Sequence, residues 1–314
     1  NRITFFKFYV FDFSSDKLKG FNKGKTNILI CNKKSCTVVF IFTFALDIRN
    51  SCKNINVEIV FDGVVTNIPN NGLENKTALT SILEMPSTIT EIGEYAFRYN
   101  VSYTGFKTIN FNEGIQRIKQ RAFLSNRGFT SVKLPNSLKY MDKYAFNTCG
   151  NLKSVTIGEG MRMFYHDSYS GENVATGMFA ATSLNTVIWN AIDCCDFVKS
   201  SYSPFTTESM IGDTDHRKNT IKNVYFGDKV KHIPGCLFWK CQNITNTIVI
   251  PESCERIGDR AFQACTGIRT VIVKAKTPPL LTPEDYESNP NATFVSSDGK
   301  NAVFRQYTTS WIVM

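Results

Sequence analysis

Few residues of this sequence are placed to do catalytic chemistry. Its three histidines are His166, His216 and His232, and each of the first two follows or precedes an aspartate along the chain. Neighbouring side chains of an extended segment point to opposite sides, so proximity in sequence does not make these pairs catalytic dyads. We interpret them as solvated polar residues of loops.

The cysteines offer two further possibilities for chemistry. The string "DCCD" at 193–196 has the residues of a vicinal redox pair or of half a metal site, but no second Cys/His pair with zinc-like spacing follows it. Cys31 with Cys36, and Cys236 with Cys241, form two isolated C-x4-C pairs. "GFNKGK" lacks the spacing of a phosphate-binding loop. We therefore predict that the protein is not an enzyme and uses no metal or cofactor.

The net charge of +9 is concentrated in one part of the chain. Residues 1–60 carry ten Lys and Arg against four Asp and Glu, whereas the remaining residues carry 26 against 23. The aromatics of "FFKFYVFDF" at 5–13 alternate as strand residues do, and the lysines that follow lie in a Gly/Asn-rich stretch. Nucleic-acid binding, which needs clustered cations among stacking aromatics, is therefore not expected.

The longest apolar run, "TVVFIFTFAL" at 37–46, has ten residues, about half of what a membrane-spanning helix of roughly 20 residues requires. It is typical of a buried strand, and we predict no transmembrane segment. No signal-peptide pattern opens the sequence, so we expect an export signal to be absent or already removed.

The dominant feature of the sequence is an internal repeat. Short strand-like stretches recur with an apolar residue at the centre of each, separated by 27, 23, 23, 32, 37, 24 and 23 residues. These central residues are Ile82, Ile109, Val132, Val155, Val187, Val224, Ile248 and Val271. A period near 23 residues with two longer intervals indicates a repeat protein with two insertions.

A second string recurs between the strands. It appears as "IGEYAFRYN" (92–100), "IKQRAFLSN" (118–126), "MDKYAFNTC" (141–149) and "IGDRAFQAC" (257–265). The small Ala beside the bulky Phe lets one coil pack on the next. Three residues after Phe comes Asn100, Asn126, Cys149, Cys241 or Cys265. We predict that this residue is buried, an amide that satisfies backbone groups in the turn or a thiol that fills the same space.

These strings resemble the BspA-type leucine-rich repeat, most specifically at "FTSVKLPNSLKYMDKYAFNTC" and "NTIVIPESCERIGDRAFQAC". The resemblance covers roughly residues 57–275. It implies a mostly β, α/β repeat fold: a right-handed solenoid with a parallel sheet on one face and irregular turns with short helices on the other. We predict three parts: an aromatic, basic N-terminal segment at 1–55 that caps the array or docks to a partner, repeats at 56–275, and a C-terminal capping tail with a hairpin at 276–314.

Two regions are candidates for binding. The outward residue of each strand changes from mixed to apolar along the chain, and the last four are Ile188, Tyr225, Val249 and Ile272. An apolar row of this kind marks an interaction surface, unless the C-terminal tail folds over it. The two insertions, at roughly 163–178 and 198–219, carry Tyr165, Tyr169 and Tyr202 among Ser and Asn, a composition typical of adaptable recognition loops but also of variable loops without function.

The prediction that follows is a non-enzymatic binding or adhesion module that recognises a protein or glycan partner. The family resemblance implies an extracellular or cell-surface setting. The alternative is a structural subunit of a larger assembly such as a virion or fibre, with residues 1–55 contacting assembly partners.

Overall fold

The computed structural model describes residues 66–75, 85–99, 109–164, 177–197, 203–205, 220–258, 260–263 and 265–274, together with the backbone of the strands outside these ranges. The strands in chain order are β1 Tyr9–Asp12, β2 Lys19–Gly20, β3 Asn27–Cys31, β4 Ser35–Phe40, β5 Asn56–Phe61, β6 Asn67–Ile68, β7 Leu79–Ile82, β8 Glu91–Ile92, β9 Arg117–Ile118, β10 Ser131–Lys133, β11 Tyr140–Met141, β12 Ser154–Ile157, β13 Thr186–Trp189, β14 Asn223–Phe226, β15 His232–Ile233, β16 Ile248–Ile250, β17 Arg256–Ile257, β18 Thr270–Val273, β19 Leu280–Leu281, β20 Thr293–Ser296, β21 Asn301–Val303 and β22 Ile312–Val313.

Most repeats contribute a longer strand and a short second strand, which is reduced to a single bridge at Met163 and Asp193, and equivalent strands of successive repeats pair in parallel. The longer strands β10, β12, β13 and β14 form one sheet in that order, and β16 and β18 belong to the next. We call these six strands the main sheet. The two-residue strands form a second set of parallel ladders, β6-β8-β9-β11 and β15-β17-β19, which we call the side ladder.

The inward residues of the main sheet are those predicted from the repeat. Val132, Val155, Val187, Val224 and Ile248 are each at most 3% exposed. Alternation along a strand sends the residues on either side of them outward. The mostly β repeat fold with parallel sheets is therefore confirmed, with the core on the inner side of both sets of strands.

The opposite side of each coil is built from turns. In the part of the chain that the structure describes no residue is helical, so turns stand where the resemblance implied short helices. In six of the described repeats two residues four positions apart adopt a left-handed conformation, as Tyr95 (φ 55°) and Tyr99 (φ 59°) do. This conformation costs a non-glycine residue about 1–2 kcal/mol.

Hydrogen bonds between coils offset that cost. The amides of Tyr95, Phe97 and Tyr99 donate to the next coil, at N–O distances of 3.2, 2.7 and 2.9 Å. The amides of the residues between them, Ala96 and Arg98, instead close turns within their own coil. Alternating bonds of this kind satisfy every amide of the segment without helix or strand.

Aromatic rings pack along the inside of these turns. Seven phenylalanines form a continuous column, with ring centroids 4.9–5.8 Å apart and interplanar angles of 3–18° between successive rings. We call this column the Phe stack; its members are Phe97, Phe123, Phe146, Phe179, Phe205, Phe238 and Phe262.

The Phe stack corrects the predicted bounds of both insertions, 163–178 and 198–219. Met163 bridges to Tyr140 of β11, and Phe164 is fully buried. Phe179 and Phe205 continue the stack, although Met178 and Pro204 precede them instead of Ala. The repeat therefore occupies the ends of the first predicted insertion and a central part of the second. Stacking of the Phe rings requires the ring itself but not an Ala before it.

The buried residue three positions after Phe behaves as predicted. The side-chain amide of Asn126 donates to the carbonyl oxygens of Phe97 and Phe123, both at 2.8 Å. The Cys149 thiol contacts the Phe123 carbonyl at 3.2 Å, and that of Cys265 contacts the Phe238 carbonyl at 3.0 Å. The amide and the thiol therefore both donate a hydrogen bond to the Phe carbonyl of the preceding coil. Asn100, the first residue of this series, lies outside the described residues.

Strands at both ends of the chain extend the sheets. The order β2-β1-β3-β4-β5-β7 joins strands of the N-terminal segment to β7, and β20 pairs in parallel with β18 before β21 and β22 add antiparallel. The division at residues 55 and 275 stays a prediction. Among the described residues, no helix is long and apolar enough to cross a membrane.

Candidate functional site

The outer surface of the main sheet carries two columns of side chains. Residues near the strand starts are small and polar; they are Ser131, Ser154, Thr186, Asn223, Thr247 and Thr270. Residues near the strand ends change from polar to apolar; they are Lys133, Thr156, Ile188, Tyr225, Val249 and Ile272. A ligand on this face would therefore meet hydroxyl groups beside apolar groups.

The four apolar residues predicted from the sequence come together in this second column. Ile188 is the register partner of Tyr225, and Val249 is the register partner of Ile272. We call these four residues the apolar stripe. Tyr225 is 51% exposed, while the other three are half-buried. The accessible apolar surface of the stripe is therefore concentrated on one aromatic ring.

The stripe crosses a joint between two sheets. β14 and β16 are neighbours but have no ladder between them. Instead the side-chain amide of Asn246 accepts a hydrogen bond from Val224 N (3.0 Å) and donates one to Val224 O (2.8 Å). One side chain thereby satisfies both backbone groups that a paired strand would otherwise satisfy.

The two margins of the main sheet differ in charge. Exposed Lys153, Lys222 and Arg269 come just before β12, β14 and β18. Glu159 and Asp228 come just after β12 and β14, and Glu159 pairs with Lys229 at 3.1 Å. The face is therefore basic where its strands begin and mixed in charge where they end, since Lys229 follows Asp228 and Lys274 follows β18.

The positions of the three tyrosines predicted as binding residues of the insertions are not described. Tyr165, Tyr169 and Tyr202 all lie outside the described residues, and so do the parts of the tail that could cover the apolar stripe. Their roles stay predictions.

A polar cluster on the side ladder was not predicted from the sequence. Asp193 bridges to His232, whose Nε2 lies 2.8 Å from Oδ1 of Asp196. The other oxygen of Asp196 accepts a hydrogen bond from Nη1 of Arg256 at 2.8 Å, and Gly235 N donates to Oδ1 at 2.7 Å. The cluster joins residues up to 60 positions apart in the sequence, so no local sequence motif predicts it.

The bonding within this cluster argues for a structural role. Nη2 of Arg256 lies 3.0 Å from Nδ1 of His232, and because a guanidinium only donates, that nitrogen is the acceptor. Nε2 then carries the proton and faces Asp196. Both ring nitrogens therefore face groups of the cluster, and the side chain is buried at 3% exposure, away from any ligand in solvent.

The charges of the cluster fit the same interpretation. Burial alone would raise the pKa of Asp196, but its contacts with His232, Gly235 N and Arg256 outweigh burial and hold that pKa well below its ordinary value. Burial, together with the carboxylates of Asp193 and Asp196, raises the pKa of the neighbouring Cys195 thiol. A thiol with a raised pKa is a poor nucleophile at neutral pH.

The candidate metal and redox residues do not assemble into a centre where the structure describes them. Cys195 is exposed, whereas Cys194, Cys236 and Cys241 are buried. Within the described ranges no three His, Cys, Asp or Glu residues are grouped to hold a metal ion. Cys31 and Cys36 are register partners of β3 and β4, but their side chains lie outside the description.

The family of the chain follows from its repeats. The family model described as "BspA type Leucine rich repeat region" matches residues 66–197 and 190–280, in six copies. The chain belongs to this family. BspA-type repeat proteins are generally non-enzymatic and typically serve adhesion or binding at surfaces.

Several solved structures are similar to this BspA-type chain. A leucine-rich repeat protein of T. pallidum is 15% identical over 71% of this chain and 88% of its own, with a TM-score of 0.43. A leucine-rich repeat protein from Eubacterium ventriosum is 17% identical over 85% and 74%, with a TM-score of 0.35. A leucine rich cell surface protein from Faecalibacterium prausnitzii is 15% identical over 90% and 96%, with a TM-score of 0.29. These likenesses are too distant to carry an argument about function. No curated protein matches the sequence.

Proposed function

We propose that this BspA-type protein is a non-enzymatic binding module that holds a protein or glycan partner on the outer surface of its main sheet. The observation that carries the proposal is Tyr225, 51% exposed at the centre of the apolar stripe. An aromatic ring that remains half in water costs free energy in the isolated protein, which a partner would recover by covering it.

The rigidity of the surface supports the proposal. Val187 and Val224, behind the stripe, are at most 1% exposed, and the Phe stack packs the other side of the core. A face held by a packed core loses little conformational freedom on binding, so more of the contact energy appears as affinity. The cell-surface setting implied by the family suits such a module, and we extend it to this protein as part of the proposal.

The alternative of a structural subunit depends on residues 1–55. Their side chains lie outside the described residues, so it stays a prediction.

The test is a screen of protein and glycan arrays with the intact chain, repeated with Ile188→Glu/Tyr225→Glu. We expect charge on the stripe to lower binding of any true partner about tenfold or more, because a buried unpaired carboxylate costs several kcal/mol. Tyr140→Glu is the matched control, since Tyr140 is 41% exposed on the side ladder. Circular dichroism verifies the fold of each variant. Equal binding by all three proteins would overturn the proposal.

A further inference from the structure

We propose that the ligand of the main sheet is an acidic polysaccharide, a chain of pyranose rings bearing carboxylate groups. This inference rests on the proposed function and names the class of partner for the same face.

The spacing of the exposed cations is the first argument. Lys153, Lys222 and Arg269 occupy equivalent positions in alternate coils, with Asn185 and Asn246 in the coils between them. Because the paired strands β12, β13 and β14 lie about 4.8 Å apart, Lys153 and Lys222 recur at roughly 10 Å, and Arg269 lies two coils further on, across the joint between β14 and β16. A regular row of charges fits a polymer whose carboxylates recur regularly.

These cations are available to a ligand. Lys153 and Lys222 are exposed and form no ion pair with any residue in the described ranges. The guanidinium of Arg269 is exposed as well, and its hydrogen bond is a long one, 3.3 Å to the Thr266 carbonyl. Charge on this margin is therefore not neutralised by the described part of the protein.

The surface beside the cations suits sugar rings. Thr186 and Asn223 face outward next to Lys222, and the Asn223 amide is oriented by hydrogen bonds to Asn185 Oδ1 (3.0 Å) and Thr186 Oγ1 (3.4 Å). Tyr225 follows on the same strand. A pyranose presents hydroxyl groups at its rim and C–H groups on its faces, so it can bond to the polar column while a face covers the Tyr225 ring.

The carboxylates at the strand ends leave room for such a ligand. Glu159 lies six residues after Lys153, and Asp228 six residues after Lys222; six residues of extended chain span about 20 Å, which is an upper bound here because both carboxylates lie in turns after the strands. At physiological ionic strength the screening length is about 8 Å, so these carboxylates barely affect an anion at the other margin. Glu159 is also paired with Lys229.

A protein partner fits these observations less well. Protein interfaces depend on a central, fully desolvated group of large side chains. Here three residues of the apolar stripe are half-buried and the surrounding column is hydroxyl-rich, so the face offers one large aromatic ring and many small polar groups. An acidic polypeptide is therefore treated as a competing outcome of the test.

The experiment measures binding of the full chain to immobilised polygalacturonate and hyaluronan, with dextran as neutral polymer and poly-L-glutamate as an anion without sugar rings. We expect binding to the two uronate polymers, and an affinity lowered on the order of tenfold in the Lys153→Gln/Lys222→Gln/Arg269→Gln variant. The control variant Lys139→Gln/Lys231→Gln/Lys240→Gln removes the same charge elsewhere and should bind as the wild type does. Tyr225→Phe should retain affinity and Tyr225→Ser should lose it, since only the ring face is needed.

Each contrary result has a distinct meaning. Absence of uronate binding, equal binding to poly-L-glutamate, or equal weakening by both triple variants overturns the acidic polysaccharide. If binding of another partner from the array screen is lost on substitution of Tyr225, the proposed function stands and only the acidic polysaccharide is rejected as its ligand. If no partner in either experiment needs Tyr225, the proposed function fails as well.

Discussion

At the scale of single residues, the polar side chains inside this protein serve the backbone and one another. Asn126 shows the first case, because its amide bridges the carbonyls of two coils. The Asp196 cluster shows the second, with His232 and Arg256 arranged around one carboxylate. A buried polar group without such partners would cost about 1–3 kcal/mol. Both arrangements therefore stabilise the fold.

The substitution Asp196→Asn should make the free energy of unfolding less dependent on pH in the acid range. The folded-state pKa of Asp196 is lowered, so its stabilisation is present above the ordinary aspartate pKa of about 4 and is lost as pH falls toward the folded value. With allowance for screening at a partly exposed carboxylate, we expect the variant to lose about 1 kcal/mol at pH 7. That loss should shrink steadily below about pH 4.

Urea unfolding from pH 7 to pH 3 measures this difference. Asp193→Asn is the matched control, because Asp193 is 60% exposed and its ion pair with Arg162 is long, at 3.5 Å. A gap between Asp196→Asn and wild type that stays constant across the pH range would contradict the assigned role.

At the scale of elements, the repeat pattern predicted the strands but not the whole Phe stack. The inward Val and Ile positions were recognisable because strand alternation and the 23-residue period agree. Phe179 and Phe205 were missed because both marks of the string are absent: Met178 and Pro204 precede them instead of Ala, and no Asn or Cys follows three residues later.

Two other features of the structure were also out of reach of the sequence. Apart from Asn71, Asn75 and Gly177, the left-handed conformations of the turns fall on residue types that do not signal positive φ, such as Tyr, Arg, Ser, Thr and Lys. The Asp196 cluster depends on contacts between residues 36 and 60 positions apart, which appear only once the coils are stacked. The alignment of Ile188 with Tyr225 and of Val249 with Ile272, by contrast, follows from strand register alone, while the role of these residues in binding stays a prediction.

Phe205→Ala tests whether Phe205 is a full member of the Phe stack. Its ring packs between Phe179 (5.6 Å) and Phe238 (5.3 Å) and is 4% exposed. Truncation removes buried surface and leaves a cavity, so we expect the free energy of unfolding to fall by about 3–5 kcal/mol. Tyr140→Ala, at a 41% exposed aromatic, should cost far less. Chemical denaturation compares the two variants. An equally small decrease in the free energy of unfolding for both would show that Phe205 is not part of the packed core.

At the scale of the whole molecule, the described repeats share one hydrophobic core but not one sheet. The buried residues from Ile68 to Val273 form a single cluster, whereas the main sheet is interrupted between β14 and β16. In a repeat array each coil is stabilised mainly by its neighbours, so a weak interface limits how cooperatively the array unfolds. The bridging amide of Asn246 lies at that interface.

Asn246→Ala should uncouple the two sides of this joint. The substitution removes the partners of Val224 N and Val224 O at once, and we expect it to weaken the interface by about 1–3 kcal/mol. Unfolding should then spread into two transitions, because the coils before and after the joint no longer stabilise each other fully. Thr247→Ala is the control, at the adjacent exposed position. Urea titration followed by circular dichroism and by hydrogen exchange distinguishes the outcomes, and a single transition with an unchanged slope in Asn246→Ala would show that the Phe stack alone couples the array.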